Sequence, residues 1–517
     1  MRFAGYNIEQ MEYEFDGYRS FDSVSTNASA EKNDALVLKD RRELNRRWSD
    51  GMQESQEIEL KTSWSICDST KIRNVSQVYQ CTKVLGKGTT SNVYKASLRA
   101  VPQHLFAIKS IKKSNFTSTG LDYIKGEVEI LKKLDHPNIA KFYECYDDNT
   151  LLNIVMEYCE GADLATYLEN QGKLPNELAK RLFFDALLAV NHLHSFGYSH
   201  RDIKLDNFLL SSNDINIALL KLIDFGFSKS WRASKLKSLV GSAWYVAPEV
   251  IDASKEGYTM ACDCWSLGVM LYIMIMGKPP FTGKNNSEIF KNIKEQEIDF
   301  SSSKFSKVEP EAISLIKSLL CKDQRQRATV RDALLSPWFN SVLLNLHKGF
   351  DKSKAYGVVE SLYKASSIPK TIQEIKKTMV RLFGSSADAK QTENLFLCCD
   401  FIDNGILTEV EAERLMNKAG LEYSKEKWSN ILLGLDSDSK GYLTYTEFMA
   451  AVLPPTFFLE EKRLKFIITK LESMFKELGS EEENIVSCID SFSSCIAIST
   501  VKQLIADFDI YKDGVIS

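Results

Sequence analysis

The spacing of hydrophobic and polar positions changes several times along the chain. Residues 1–78 are polar and show no sustained periodicity, which predicts a flexible extension. Short apolar and β-branched runs then predict strands, followed by a helical pattern at 125–134 and further helical patterns up to residue 339. The strand candidates are 82–85, 93–97 and 105–111. This order predicts a small β-rich lobe on a larger α-rich lobe within residues 79–339.

Residues 340–385 form a junction with two amphipathic helix patterns, at 355–364 and 371–383, separated by a break that contains Pro369. The second pattern combines apolar residues at helical spacing with basic neighbours. These residues are Ile372, Ile375, Met379, Leu382 and Phe383, with Lys370, Lys376, Lys377 and Arg381. Such a helix suits the groove of a partner domain. The alternative is an ordinary helix packed on the larger lobe.

Residues 386–517 repeat with a period of about 36 residues, which indicates repeated helix–loop–helix units. The matching loop glycines are Gly405, Gly441 and Gly514, the last two being two periods apart. We expect an all-α domain of four units. The third, near Leu478, lacks ligand spacing, and the fourth begins at Asp509 and stops at Ser517. Either the sequence is truncated there or this unit cannot close around an ion.

Composition narrows the class of protein. The 517 residues are 44% hydrophobic and 26% charged, as in a globular protein. The net charge of −4 gives no general reason to expect binding to nucleic acid. The longest apolar stretch, 267–276, is too short to span a bilayer, and the 11 cysteines are scattered without a CxxC pair. We expect a cytoplasmic monomer without a transmembrane segment; the nucleus and peripheral contact with a membrane stay open as alternatives.

A glycine-rich turn at residues 85–93 lies between two strand candidates. Glycines at 86 and 88 would let backbone N–H groups approach phosphates closely, although Ser91 occupies the third glycine position of the nucleotide-binding pattern. Taken alone, the turn also fits a tight hairpin.

The motifs after this turn follow a fixed order. Lys109 ends the run Phe-Ala-Ile-Lys in a strand candidate, and Glu127 lies in the helix candidate. The later motifs are His-Arg-Asp-Ile-Lys-Leu-Asp-Asn at 200–207, Asp-Phe-Gly at 224–226 and Ala-Pro-Glu at 247–249. The ordered set resembles the eukaryotic protein kinase family. The resemblance implies a bilobal α+β protein kinase fold that uses ATP and Mg²⁺.

This resemblance assigns catalytic roles. Lys109 would hold the α- and β-phosphates, and Glu127 would fix its ammonium group through an ion pair. Asp202 would accept the proton of the substrate hydroxyl, and Lys204 would steady the γ-phosphate. The alternatives are a surface lysine at 109 and a solvated glutamate at 127. A lysine at 204 favours serine or threonine over tyrosine as the acceptor.

The resemblance also implies a nucleotide pocket. Asn207 and Asp224 supply hard oxygen atoms that suit Mg²⁺, the alternative for Asp224 being a buried structural role. Met156 matches the gatekeeper of the hinge, Asp163 a ribose-contacting acid and Leu209 the floor of the adenine pocket. The full set implied for ATP is Leu85, Gly86, Lys87, Gly88, Val93, Ala107, Lys109, Met156, Glu157, Cys159, Asp163 and Leu209.

Two further pairings follow from the resemblance. Glu249 would pair with Arg327, and Asp263 would brace the catalytic loop. Acidic groups at Asp163 and Asp206, near the expected substrate groove, suggest protein substrates in which basic residues precede the serine or threonine.

Regulation by phosphate is the next implication. Ser238 lies in a basic stretch after the Asp-Phe-Gly motif and best matches an activation-loop phosphosite, with Arg201 as the group that would engage its phosphate. The alternative is a merely solvated basic loop.

The segment 436–447 fits a twelve-residue EF-hand calcium loop. Its candidate ligands are Asp436, Asp438, Lys440 at the fifth position, the backbone carbonyl of Tyr442, Thr444 and Glu447. Lysine departs from the pattern, because its charge weakens calcium binding unless the side chain turns outward.

The loop that begins at Asp400 is a weaker calcium candidate. Its possible ligands are Asp400, Asn404, the backbone carbonyl of Ile406, Thr408 and Glu411, whereas Ile402 at the third position cannot coordinate an ion. The alternative is a structural loop that braces its partner.

A kinase followed by a junction and EF-hand units resembles the calcium-dependent protein kinase family. The resemblance implies a calcium-regulated serine/threonine kinase, autoinhibited by the junction at low calcium and released when the EF-hand domain binds the junction. One alternative is a kinase with structural EF-hands that phosphorylation of Ser238 controls. A non-catalytic calcium-dependent binder is the other, and the complete catalytic set argues against it.

Overall fold

The computed structural model describes residues 74–88, 91–99, 101–116, 118–148, 150–226, 229–230, 243–252, 259–436, 438–460 and 463. Most of the expected N-terminal extension, Ser238, and the third and fourth predicted helix–loop–helix units lie outside these residues.

A five-stranded antiparallel sheet in the order β1-β2-β3-β5-β4 forms the small lobe. A short helix, α1 (Val75–Val78), precedes it, and α2 (Ser118–Lys133) is inserted between β3 and β4. The strands are β1 Tyr79–Lys87, β2 Ser91–Leu98, β3 Val101–Lys112, β4 Phe142–Asp147 and β5 Leu151–Glu157. The three predicted strands are therefore confirmed, and each is longer than its apolar run because the ladder continues through polar residues.

The larger lobe is mainly helical, as predicted. Its helices are α3 Leu164–Gln171, α4 Asn176–Ser195, α5 Pro248–Ile251, α6 Ala261–Met276, α7 Asn286–Glu295, α8 Pro310–Leu319 and α9 Val330–Leu334. Short strands complete it: β6 Tyr198–Ser199 pairs with β9 Lys229–Ser230, and β7 Phe208–Leu210 pairs with β8 Leu220–Leu222. Helices α4 and α6 are buried along nearly their whole length, so the apolar stretch at 267–276 is a core helix. Among the described residues, none of the helices combines the length and apolarity needed to cross a membrane.

Helix α10 (Asn340–His347) leads into the two junction helices, α11 (Lys352–Ser366) and α12 (Lys370–Phe383). Both predicted junction helices are confirmed to within a few residues. An aspartate cap starts α11, since Asp351 accepts a hydrogen bond from the N–H group of Lys354. The break between them contains Pro369, which lacks an N–H group.

Two helix–loop–helix units follow. The first contains α13 (Lys390–Cys399) and α14 (Glu409–Ala419), and the second contains α15 (Lys425–Leu435) and α16 (Tyr445–Val452). A short helix, α17 (Pro455–Phe458), follows them. Strands β10 (Ile406–Leu407) and β11 (Leu443–Thr444) pair antiparallel and join the two loops. Helix α11 packs against α14, α15 and α16, and α12 packs against α16. The junction is therefore part of the core of this region rather than a separate linker.

Candidate functional site

Lys109 lies at the centre of the residues that the sequence predicts to contact phosphates. Strand β3 places it opposite Ile154 of β5, and its Nζ atom lies 2.7 Å from Oε1 of Glu127 on α2 and 2.8 Å from Oδ1 of Asp224. Burial disfavours the ammonium ion, but the two carboxylates outweigh it and raise the pKa of Lys109. In the same way, Lys109 lowers the pKa of Asp224 despite burial. The lysine therefore stays charged at neutral pH.

The catalytic-loop candidates lie together. Lys204 Nζ is 2.7 Å from Oδ2 of Asp202, and Nδ2 of Asn207 donates to the same oxygen at 3.1 Å and to the backbone carbonyl of Asp202 at 2.7 Å. Asn207 ends a 3₁₀ turn, and Asp202 is 7% exposed. One carboxylate oxygen is thus held between an ammonium and an amide, where it can meet an incoming hydroxyl.

Asp263 braces this loop, as predicted. Its two carboxylate oxygens accept the backbone N–H groups of His200 and Arg201, both at 2.8 Å, and His194 Nε2 lies 2.8 Å from Oδ2. Arg201 has a φ of 68°, a left-handed conformation that costs energy for a side chain of this size. The buried carboxylate stabilises that conformation. The predicted pair of Glu249 and Arg327 is also present, as a bidentate contact at 2.6 and 2.9 Å.

The glycine-rich turn is a β-hairpin between β1 and β2, with Gly86 opposite Val93 and Lys87 opposite Asn92. The N–H of Gly88 donates to the carbonyl of Ser91 at 2.8 Å, and residues 89–90 lie outside the described part. The turn is therefore a hairpin, and it also places Val93 opposite Lys109 of β3, so the two sequence interpretations are compatible.

The remaining nucleotide candidates lie on β3, β5 and β7 and, for Cys159 and Asp163, in the segment between β5 and α3. Ala107 pairs with Met156 in register, and Leu209 of β7 forms a bridge with Asp163. The carboxylate of Asp163 caps α3, accepting from the N–H and hydroxyl of Thr166 at 2.8 and 2.7 Å. A ribose contact by Asp163 would have to share this carboxylate with the helix cap.

Sequence reasoning missed a polar cluster behind the hinge. The carboxylate of Glu157 lies 2.9 Å from Nζ of the buried Lys221 and accepts from the hydroxyl of Ser385 at 2.7 Å and from the N–H of Lys141 at 3.2 Å. The side chain of Lys141 in turn reaches the carbonyl of Val380, at the end of α12. Spacing gave no signal for this cluster, because Ser385 is 228 residues from Glu157.

The second predicted EF-hand loop, 436–447, brings three carboxylates together. Oxygens of Asp436, Asp438 and Glu447 lie within 4.8 Å of one another, the arrangement that a cation requires. Lys440 does not turn outward: its ammonium contacts Asp438 and lies 3.1 Å from Glu447 Oε1 and 3.5 Å from Asp436 Oδ1. An ammonium has no lone pair with which to coordinate a metal, and Lys440 does not adopt the outward orientation that would keep its charge away from the predicted site. Tyr442 is buried.

Helix capping organises the end of this loop. Oε2 of Glu447 accepts the N–H of Thr444 at 2.9 Å, and the Thr444 hydroxyl accepts the N–H of Glu447, which forms a capping box at the start of α16. Oε1 of Glu447 also lies 3.4 Å from Nζ of Lys377 on α12. Glu447 therefore connects the loop to the junction.

The first predicted loop, 400–411, satisfies its own oxygens. Asp400 accepts the N–H groups of Asn404 and Gly405 at 3.1 and 2.7 Å, and Glu411 accepts those of Ile402 and Thr408 at 3.2 and 2.9 Å. Burial, followed by the charge of Asp400, raises the pKa of Glu411 well above its usual value. These side chains act as caps of the loop, and Ile406 pairs with Thr444 of the second loop.

The same loop docks on helix α4. Asn191 donates to the carbonyl of Asp403 at 2.6 Å, and Nδ1 of His192 lies 2.7 Å from the carbonyl of Asn404. Gly405 adopts a φ of +77°, and a Cβ atom there would lie 2.4 Å from Nδ1 of His192. Glycine is required twice over, for its backbone conformation and for the close approach.

Comparison with known proteins agrees with this geometry. Residues 79–339 match the protein kinase domain family model. The chain is 32% identical to Calcium-dependent protein kinase 5 of Plasmodium falciparum over 86% of this chain and 77% of that protein. It is 33% identical to Calcium-dependent protein kinase 5 of Plasmodium berghei, over 74% and 66%. It is 30% identical to Calcium-dependent protein kinase 14 of Arabidopsis thaliana, over 86% and 82%.

The domain match covers the predicted catalytic motifs, and two of these relatives are matched over 86% of the chain. The protein is therefore a protein kinase, and it belongs to the calcium-dependent protein kinase family.

Proposed function

We propose that the chain transfers the γ-phosphate of ATP to serine or threonine hydroxyls of protein substrates, under the control of its junction and EF-hand region. The observation that carries the catalytic part is the ion pair between Lys109 and Glu127, at 2.7 Å, beside Asp224 at 2.8 Å. This contact joins strand β3, helix α2 and the Asp-Phe-Gly segment, so the phosphate-binding lysine is already positioned.

Asp202 is the proton acceptor in this proposal. The amide of Asn207 and the ammonium of Lys204 orient its carboxylate, and Lys204 also lies where it can offset charge on the transferred phosphate. Oxygens of Asn207 and Asp224 suit Mg²⁺, which when bound would neutralise phosphate charge. Asp206 is exposed, which supports a substrate with basic residues before its serine or threonine.

Control by calcium is the second part of the proposal. The described helix–loop–helix units hold α11 and α12, and the end of α12 lies against Lys141 and Tyr143 of the small lobe, whose side chains donate to the carbonyls of Val380 and Arg381. These contacts involve the sheet rather than the catalytic loop. We propose that this is the released position of the junction, and that calcium loss frees the junction to inhibit the catalytic cleft.

A second candidate is a kinase whose EF-hands are structural and whose activity depends on Ser238. Two observations favour it: Lys440 occupies the carboxylate cluster of the second loop, and backbone N–H groups satisfy the acids of the first. In that case Arg201 would bind the phosphate of Ser238, which lies outside the described residues.

Phosphate transfer to a basic serine peptide, with calcium or with a chelator, tests these candidates. The wild type is compared with Asp202→Asn, which keeps the side-chain shape but removes the proton acceptor, and with Ser238→Ala. Activity that requires calcium and Asp202 supports the calcium-controlled kinase. Equal activity in both conditions, lost in Ser238→Ala, supports the second candidate. Background transfer by the wild type and Asp202→Asn alike would contradict both.

A further inference from the structure

Lys440 lies at the point where an EF-hand loop holds its ion. The three carboxylates of the loop converge on one place, and the ammonium of Lys440 contacts Asp438 and lies 3.1 Å from Glu447. Oδ1 of Asp436, a buried oxygen that accepts no hydrogen bond, faces the same ammonium at 3.5 Å. The site fits a cation, and the cation that occupies it belongs to the chain.

A second lysine, Lys377, adds another positive charge next to the carboxylates of the loop. Lys377, on junction helix α12, lies 3.4 Å from the same Oε1 atom of Glu447 that contacts Lys440, and it also pairs with Glu374 at 3.0 Å. Together the two lysines bring two positive charges to the loop, the same charge as one calcium ion.

Glu447 links the two lysines to helix α16. In a calcium loop the acid at position 12 closes around the ion and moves the following helix. Here Oε1 of Glu447 is already held by two ammonium groups and Oε2 caps α16, the helix that packs on α12. The hydroxyl and N–H of Thr446, next in the chain to Glu447, both donate to Asp135 of the kinase lobe at 2.8 Å.

We infer that Lys440 takes the place of calcium in the second EF-hand loop, so that this loop holds the junction helix without bound metal. Calcium control would then act through other loops of the region. The inference deepens the proposed regulation and rests on it only in treating the junction as the regulated element.

Calcium titration by calorimetry on the full chain tests the first half. Lys440→Asn removes the internal ammonium and supplies a neutral oxygen at the fifth position; Lys427→Asn, at an exposed lysine on α15, is the matched control. We expect Lys440→Asn to bind one more calcium ion per chain than the wild type and the control. The same number of ions, bound with the same affinity by all three chains, would overturn the inference.

Amide hydrogen exchange in a chelator tests the second half. Lys440→Met keeps the length of the side chain without its charge, which leaves Asp436 and Asp438 without the ammonium they face and Glu447 with Lys377 alone. We expect exchange in helices α12 and α16 to become at least tenfold faster than in the wild type, with Lys427→Met unchanged. Equal protection in Lys440→Met and the wild type would contradict the inference. Neither measurement depends on phosphate transfer, so an inactive chain would refute the proposed function alone.

Discussion

The hydroxyl of Ser385 donates a 2.7 Å hydrogen bond to Oε1 of Glu157, and so joins the segment after the junction to the kinase hinge. One turn earlier, the side chains of Lys141 and Tyr143 donate to the last carbonyls of α12. A helix end carries partial negative charge, and the kinase lobe brings an ammonium and a hydroxyl to it; the carbonyl of Val380 also accepts the N–H of Gly384 at 2.7 Å. The junction is therefore anchored to Glu157, one of the residues predicted to contact ATP, and to the start of β4.

This contact predicts an effect on ATP binding. In Ser385→Ala, Glu157 loses one of its donors and the junction end loses its bond to the hinge. Because hydrogen bonds to charged groups contribute about 1.5–3 kcal/mol when buried, and this serine is exposed, we expect only a two- to fivefold rise in KM for ATP, roughly 0.5–1 kcal/mol. Steady-state kinetics measure it, with Ser367→Ala, at an exposed serine after α11, as the control. An unchanged KM would show that the bond does not couple the two elements.

The ion pair of Lys109 predicts a larger effect. In Glu127→Gln the lysine keeps Asp224 but loses one buried carboxylate partner, and losing a charged hydrogen bond of about 1.5–3 kcal/mol corresponds to roughly a 10- to 100-fold loss of kcat/KM. The control is Glu129→Gln on the same helix, whose carboxylate makes a partly exposed pair with Lys132. Equal activity of the two variants would contradict the assigned role of Glu127.

The candidate catalytic residues could be proposed from the sequence because most of them lie in short motifs whose order carries the information, and the structure brings Lys109, Glu127 and Asp224 together. Helices α11 and α12 could be predicted because helical spacing is local. The orientation of the Lys440 side chain could not be predicted, because a lysine at that position can point toward the carboxylates or toward solvent, and the spacing of residues does not distinguish the two. The contacts of Ser385 and His192 join segments 228 and 212 residues apart, for which no local pattern exists.

Two buried histidines predict a pH dependence for the contact between the first loop and helix α4. Nδ1 of His192 donates to the carbonyl of Asn404, and its Nε2 accepts the N–H of Asp135 at 3.3 Å, so the ring is neutral. Burial lowers the pKa of His192 to about 4, although the hydrogen bond to Asn404 and the charge of Asp135 partly oppose it. Burial also lowers the pKa of His136 well below its usual value.

The direction in which folding stability changes with pH follows from the difference in proton binding between the folded and unfolded chains. Below the ordinary histidine pKa of about 6.5, His192 binds a proton in the unfolded chain but stays neutral in the folded chain. The contribution of neutral His192 to the free energy of unfolding is therefore complete above pH 6.5 and is lost as the pH falls toward 4. We expect the free energy of unfolding to fall by up to about 3 kcal/mol over that pH range because of His192. Unfolding titrations at several pH values measure it. His192→Gln, which can keep both hydrogen bonds without titrating, should show a shallower dependence; an identical slope would contradict the assignment.

The close approach of Gly405 to His192 predicts that even the smallest side chain destabilises the docked loop. Gly405→Ala combines a φ of +77° with a Cβ atom 2.4 Å from Nδ1 of His192, so either the loop or the histidine must move. Gly441→Ala is the matched control, because Gly441 occupies the same place in the second loop with a φ of +85° but has nothing within 4 Å of the added atom. In the control the free energy of unfolding should fall only by the conformational cost, about 1–2 kcal/mol. In Gly405→Ala it should fall by a further 1–3 kcal/mol, roughly, because of overpacking. Urea unfolding of both variants measures the difference. Since both substitutions strain the backbone alike, equal losses would mean that helix α4 yields freely to the first loop, and the dock between them would then contribute little to the folded state.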